Sequence, residues 1–476
     1  MSKSESVEMP LSPFEEKLKQ AANPVFTKDR IYNYLGFMKD QFIEIIRERI
    51  ADFQQQGLPN AIRRDAEAST RTNKAKAVIG MRRAGKTYFL FQCLADRANA
   101  GYSKERLLYF NFEDERLAGM TADHLSLLAE EYYRTFPDFR GRQQVVWCLD
   151  EIQVVPGWER FVRRILDTEK AEIFISGSSA GMLSREVATS MRGRAVETVI
   201  APYSFREFLR ARQNEPKKGK RLISAAERSK LESEFDAFLR IGGFPEALAA
   251  VSARERVELL QSYVDVVLLR DVGERHRVGN LHALRAFVRH LLRRPASSLS
   301  VNKIFNAFRS QGVAVSKGSL FEFLTYLEDA FLVFTLPLAT DSERRRQSNP
   351  KKLYLADHGL AEAHAPAGGL NRGQLIENIV ACKLASQSRE LAYVLTKSGY
   401  EVDFLTRDYE GGAQLIQVSS DLSEATTYER EIRALTEAAR EFPEAELLLL
   451  YESGLPRSPS APENIRVEPL WRWLLE

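Results

Sequence analysis

Gly80-Met81-Arg82-Arg83-Ala84-Gly85-Lys86-Thr87 decides how this chain is read. It follows the apolar run Ala77-Val78-Ile79 and precedes Tyr88-Phe89-Leu90-Phe91-Gln92-Cys93-Leu94, whose apolar positions recur as on a helix. A strand, a glycine-bounded turn ending in Gly-Lys-Thr, and a helix make a phosphate-binding P-loop. Gly80 and Gly85 lack a Cβ, so the backbone can wrap closely around phosphates. The loop amides and the helix N-terminus then face the anion. The expected binding residues are Gly80, Arg83, Ala84, Gly85, Lys86, Thr87 and Tyr88. Lys86 reaches the β/γ-phosphates, and the Thr87 hydroxyl is a ligand for Mg²⁺.

A length of 476 residues suggests about three domains. With 44% hydrophobic and 28% charged residues, the composition is that of an ordinary globular chain. Lys plus Arg (68) nearly balances Asp plus Glu (65), so any basic footprint for nucleic acid must be local. Cys93, Cys148 and Cys382 lie far apart in apolar contexts, which predicts buried free thiols in a reducing compartment. Met1–Pro13 lacks the apolar core of a signal peptide. No apolar run approaches the roughly 18 residues needed to cross a bilayer. A bacterial or archaeal cytoplasm and no membrane partner are expected.

Residues 1–34 read as a tail with a short helix near Phe14–Gln20, and 35–202 as the nucleotide-binding core. A leading helix spans Tyr32–Gln55, and the polar link Asn60–Lys76 follows, with Arg63 and Arg64 expected in solvent. Leu107–Phe112 and Val145–Leu149 read as strands, the second delivering Asp150 and Glu151 at its C-terminal end. Open α/β sheets bind ligands at that end. There Asp150 would hold the Mg²⁺ shell, and Glu151 would orient and deprotonate the attacking water. Glu172–Ser179 is the next strand. Its terminal hydroxyls, Ser178 before Ser179, either sense the γ-phosphate or cap the following helix. Arg192 or Arg194, before the strand Val196–Ile200, is a candidate arginine finger, in cis or from a neighbouring subunit; Arg194 is favoured.

The β-α repeat with an acidic pair on its own strand resembles the AAA+ superfamily. More narrowly, the chain resembles a widespread group of prokaryotic AAA+-type ATPases with an uncharacterised C-terminal domain. The residues that carry this are Gly80–Thr87, Leu149-Asp150-Glu151-Ile152-Gln153, Ile175-Ser176-Gly177-Ser178-Ser179, Gly193-Arg194, Pro202–Phe208 and Gly242-Gly243-Phe244-Pro245-Glu246. The resemblance runs from about residue 70 to the end. It implies a Mg²⁺-dependent ATPase whose parallel sheet is followed by a helical lid, here 203–280. Gly242–Pro245 is expected as a sharp turn between lid helices, and Arg270 with Asp271 as a surface ion pair.

Residues 281–358 read as a winged helix: three helices, then the strands Phe331–Pro337 and Lys352–Leu355. A polar loop with Arg344-Arg345-Arg346 and Lys351-Lys352 joins the strands as a basic wing. DNA contact is expected from this wing through phosphate. Glu322, Glu328 and Asp329 make the third helix a poor reader of DNA, and winged helices also dock proteins.

Residues 359–476 resemble the PD-(D/E)xK nuclease-like fold, a restriction-endonuclease-like α/β domain. Helix acid Glu377 and strand acid Asp403 match its metal-binding positions, but Gln417-Val418-Ser419 departs from it. An amide replaces the second carboxylate, weakening a Mg²⁺ cage, and Ser419 replaces the lysine. The domain is therefore read as a degenerate nuclease fold.

The sequence thus predicts an α/β P-loop ATPase of AAA+ type using ATP and Mg²⁺, with Lys86, Glu151, Arg194 and Ser178 as its catalytic set. Three functions stay open: a switch or motor acting on DNA, an ATP-dependent nuclease, and a protein-remodelling or scaffolding ATPase. Self-assembly into a homo-oligomer is compatible with each.

Overall fold

The apolar run before the glycine loop forms β1 (Ala75–Ile79), and every one of its residues is buried. In this computed structural model, which describes residues 28–177, 191–217, 223–366, 369–454 and 462–476, β1 lies inside a five-stranded sheet. Its partners are β2 (Leu107–Asn111), β3 (Val145–Asp150), β4 (Ala171–Ser176) and β5 (Ala195–Val199), in the order β2-β3-β4-β1-β5. All four pairings are parallel. A parallel sheet needs cover on both faces. On one face Phe42, Ile46 and Ile50 of α1 (Lys28–Gln55) meet the sheet. On the other lie Phe89, Leu90 and Leu94 of α2 (Lys86–Asn99). The first face is completed by α3 (Leu125–Thr135) and α4 (Trp158–Thr168). The expected short helix near Phe14–Gln20 lies outside the described residues.

Beyond the sheet come α5 (Phe205–Ala211), α6 (Ala225–Ile241), α7 (Pro245–Ala249) and α8 (Ala253–Val266). The last continues as a π-helical stretch, Val267–Glu274. The turn after α6 depends on glycine. Gly242 has φ +83° and ψ −175°, a conformation essentially closed to other residues. A Cβ there would also lie 2.3 Å from Asp357 Oδ1. Pro245 then occupies the first turn of α7, where its missing N–H is harmless.

Residues 281–366 form α9 (Leu281–Leu292), β6 (Ser297–Leu299), α10 (Val301–Ser310), α11 (Lys317–Asp329), β7 (Val333–Leu336), α12 (Glu343–Ser348), β8 (Lys351–Leu355) and α13 (His358–Ala363). The strands make an antiparallel sheet in the order β6-β8-β7. Two features differ from the sequence reading. β6 is three residues of Ser-Ser-Leu, too short to show a period. The polar loop before β8 contains the helix α12, whose start is capped by Ser342 accepting the Arg345 amide.

The remaining chain folds as α14 (Arg372–Gln387), β9 (Glu390–Leu395), β10 (Glu401–Arg407), β11 (Ala413–Asp421), α15 (Ala425–Glu441), β12 (Glu446–Ser453), β13 (Ile465–Pro469) and α16 (Leu470–Trp473). Its sheet has the order β13-β12-β11-β10-β9, antiparallel from β9 to β11 and parallel from β11 to β13. One apolar cluster extends from Phe205 to Leu474 and also takes in Met81 of the glycine loop. The helices after the first sheet, the small antiparallel sheet and one face of the C-terminal sheet therefore share a core with the loop, while α15 covers the other face of the C-terminal sheet in a separate cluster. No helix among the described residues is long and apolar enough to cross a membrane.

Candidate functional site

The glycine loop is shaped by close backbone approaches at both ends. Gly80 has φ +142°, and a Cβ on it would stand 2.3 Å from the Ile200 carbonyl oxygen at the end of β5. Gly85 has φ +99° and precedes α2. Arg83 also takes a left-handed conformation, φ 65°. Lys86 is 5% exposed, and its ammonium donates to the Gly80 and Met81 carbonyls at 3.1 and 3.0 Å. Burial pushes its pKa down, while Glu151 and Asp150 act to hold the charge. Ala84 is buried, whereas Tyr88 is exposed.

β3 lies two strands from β1 and ends level with the loop. Asp150 is 1% exposed and accepts three hydroxyl donors. Thr87 Oγ1 donates to its Oδ2 at 2.8 Å and Tyr109 to the same oxygen at 2.7 Å, while Ser176 donates to Oδ1. A carboxylate and a hydroxyl side by side at a phosphate loop fit Mg²⁺. That ion takes one or two protein oxygens and completes its shell with water and phosphate. Glu151 has a left-handed backbone, φ 53°, which turns it away from the strand direction. Its amide donates to Ser176 Oγ at 3.1 Å, and its carboxylate accepts from Gln153. Tyr109 and Ser176 escaped the sequence reading because each looks like an ordinary strand residue.

The other candidates are not all brought together. Ser178 and Ser179 lie outside the described residues. Arg194 pairs with Asp167 and sits before β5, beside Ala75 at the start of β1. Five strand residues at about 3.3 Å each separate that end from the loop, so Arg194 is out of reach in cis. Only a neighbouring subunit could present it.

Arg64 corrects an expectation. It is 6% exposed rather than solvated, and its guanidinium lies beneath the loop. It donates to Glu207 Oε1 at 2.9 Å and to the carbonyls of Ala84 (2.8 Å) and Ala201 (2.5 Å). Glu207 closes a capping box with Ser204 through its other oxygen. Arg63 alone behaves as expected, exposed and paired with Asp96 at 2.7 Å. A lysine at position 64 keeps the charge but not the planar fork that reaches three acceptors. Arg64→Lys is expected to lower stability by about 2 kcal/mol, one to two buried hydrogen bonds. It should also weaken nucleotide binding. Thermal melting with and without nucleotide checks both, and an unchanged melting point would show that the fork is dispensable.

Asp271 corrects another. It is 3% exposed and pairs with Arg82 of the loop, not with Arg270. Arg83 pairs with Glu246 at 3.0 Å. The loop's two arginines are therefore both tied to the helical segment after the sheet.

A second polar cluster lies at the junction of β8, α14 and β10. Glu377 and Asp403 both contact Lys352, whose Nζ is 2.9 and 3.0 Å from their oxygens and 2.7 Å from Glu401. Tyr354 donates to Glu377 at 2.7 Å. Lys352 was expected on a basic wing; it is 4% exposed and points inward. Burial opposes its charge, but Asp403, Glu377 and Glu401 outweigh that and raise its pKa. Gln417 Oε1 accepts the Asp403 amide at 3.2 Å, and Ser419 Oγ donates to the Asp421 carbonyl. Cys93, Cys148 and Cys382 are free thiols, each with its pKa raised by burial. No group of three or more His, Cys, Asp or Glu residues among the described residues is arranged to hold a metal.

The sheet and its loop define the class: residues 72–209 match the family described as AAA domain. Residues 232–371 match a domain of unknown function (DUF8612). An uncharacterised protein of Methanocaldococcus jannaschii is 34% identical over 424 residues, covering 87% of this chain and 91% of its own length. The chain belongs to one family of AAA-domain proteins with that archaeal relative. Two solved structures are similar at 16 and 17% identity. The ORC1 protein of Aeropyrum pernix in complex with DNA covers 68% of this chain and 91% of its own, with a TM-score of 0.23. AMPPCP-bound DnaA from Aquifex aeolicus covers 64% and 92%, with a TM-score of 0.24. Likenesses of that size bear on neither activity nor partners.

Proposed function

We propose that the chain binds ATP with Mg²⁺ on the Gly80–Thr87 loop and hydrolyses it, as a switch that moves the segments packed beyond residue 202. The observation that carries this is the 2.8 Å contact of Thr87 Oγ1 with Asp150 Oδ2, with Glu151 next in the chain. Thr87 and Asp150 would hold Mg²⁺, which neutralises charge on the β- and γ-phosphates when bound. Lys86 holds phosphate charge. Glu151 orients a water molecule in line with the γ-phosphorus and takes its proton, while the bond to the β-phosphate oxygen breaks and ADP leaves with inorganic phosphate. Ser178 senses the γ-phosphate, and Arg194 serves only in trans, from a second copy.

DNA is the favoured partner. Arg344 and Arg345 of α12 and Lys351 at the start of β8 are exposed in the segment that leads into the central strand of the small antiparallel sheet, where they suit phosphate contacts. The C-terminal segment is a degenerate nuclease-like domain, because the ammonium of Lys352 sits between the carboxylates that would face a metal. The test is ATP turnover by the purified chain with Mg²⁺, with and without single- and double-stranded DNA, over a range of salt. Turnover that requires Mg²⁺, rises with DNA and loses that rise steeply with salt is the expected result. Absence of turnover under every condition refutes the ATPase. Turnover indifferent to DNA refutes the DNA switch and favours a protein partner.

A further inference from the structure

Arg82 occupies the third position of the phosphate loop, but its side chain points across to the helical segment. Its Nε lies 3.0 Å from both carboxylate oxygens of Asp271, and an Nη lies 3.7 Å from the more exposed Glu113. Asp271 sits in the π-helical stretch Val267–Glu274 and is 3% exposed. Wide helical turns of this kind recur at functional positions. Burial raises the Asp271 pKa and the Arg82 guanidinium pulls it back, with Lys86 acting the same way and Glu151 opposing. The ion pair thus compensates a carboxylate that is otherwise buried beside the site's own acids.

Phosphate brings a competing claim. A guanidinium in a phosphate loop has in a triphosphate a partner of higher charge than one carboxylate, and it can bind it bidentately. Arg82 cannot serve both partners, and an uncompensated Asp271 is costly where it lies. We propose that Arg82 is a phosphate-binding residue for which Asp271 competes, so that nucleotide binding and release of the Val267–Glu274 turn are one coupled step. This rests on the loop binding ATP. The turn continues directly from α8, which belongs to the apolar cluster extending to Leu474. Its release is therefore a route by which nucleotide reaches the rest of the chain.

Coupling is reciprocal, so removing the competitor must tighten nucleotide binding. Calorimetric titration of the full chain with Mg–ATP should compare the wild type, Asp271→Asn, Arg82→Gln and the double variant. Asp271→Asn is expected to bind about tenfold tighter, within the usual range of such couplings. Arg82→Gln should bind about tenfold weaker, and Asp271→Asn should add nothing in its background. Unchanged or weaker binding by Asp271→Asn overturns the proposal. So does a tightening that persists without Arg82, because Asp271 would then act on phosphate directly. Arg82→Gln stands as a separate test if Asp271→Asn does not fold: unchanged or tighter binding by it removes Arg82 from the phosphate site. Wild-type chain that binds no ATP overturns the nucleotide reading itself, an outcome distinct from wild-type binding that is merely indifferent to residue 271.

Discussion

Lys86→Ala is expected to weaken ATP binding at least a hundredfold, whereas Glu151→Gln should keep binding and lose turnover. The ammonium of Lys86 is already desolvated and aimed by the Gly80 and Met81 carbonyls, so little reorganisation accompanies phosphate contact. A hydrogen bond to a charged group contributes about 1.5–3 kcal/mol, and two phosphates would be reached. Together these give roughly 3–6 kcal/mol, or about two to four powers of ten in affinity. Glu151→Gln preserves shape, and Gln153 can still donate to the amide oxygen. An amide cannot take a proton from water, so turnover should fall by about 10²–10⁴. Calorimetric binding paired with single-turnover hydrolysis separates the two variants. Full turnover by Glu151→Gln would remove Glu151 from water activation while leaving the loop's role in binding intact.

What the sequence made legible follows from range. Gly80–Thr87, the strand before it and the helix after it form one local pattern, and the structure places them as β1, loop and α2. The acidic pair was legible because the apolar run Val145–Leu149 ended on it. Residues whose partners are distant in sequence were not. Arg64 lies in a polar link with no period, and its partner Glu207 is 143 residues away. The Pro202–Phe208 motif was recognisable as a string, but its physical reason needed that contact: Glu207 caps α5 with one oxygen and anchors Arg64 with the other. Gly242 and Gly243 looked like a simple turn. They are required because Asp357, from the end of β8, accepts the Gly243 amide at 2.7 Å and leaves no room for a Cβ on Gly242.

Short strands failed for a different reason. β6 has three residues, too few to show a period, and β13 alternates as Ile465-Arg466-Val467-Glu468 over only four positions beside a Pro- and Ser-containing stretch, the shortest run that can signal a strand. For Arg194 the sequence left cis and trans open, and the sheet narrows the choice. A parallel sheet separates its two ends by the full strand length, and only the end after β1 faces the loop.

Lys352→Met should destabilise the chain by about 3–5 kcal/mol at pH 8, the usual consequence of breaking a buried ion pair from one side, and by less at pH 5. Lys352 compensates Glu377, Asp403 and Glu401 from a strand that the sequence assigned to a solvent-facing wing. Burial, then Asp403, hold the Glu377 carboxyl above its ordinary range, while Lys352 draws it down. A carboxyl whose folded pKa exceeds its unfolded value, about 4.3 for glutamate, favours folding below that unfolded value. That contribution is lost as pH rises through the folded value. Removing the ammonium moves the folded pKa of Glu377 further up, so the penalty grows across the same window. Denaturant midpoints followed by circular dichroism at both pH values read the difference directly, and Glu377→Gln in the same background should flatten it. Equal losses at pH 5 and pH 8 would locate the effect in packing of the lysine stem, and the acidic cluster would then need no resident cation.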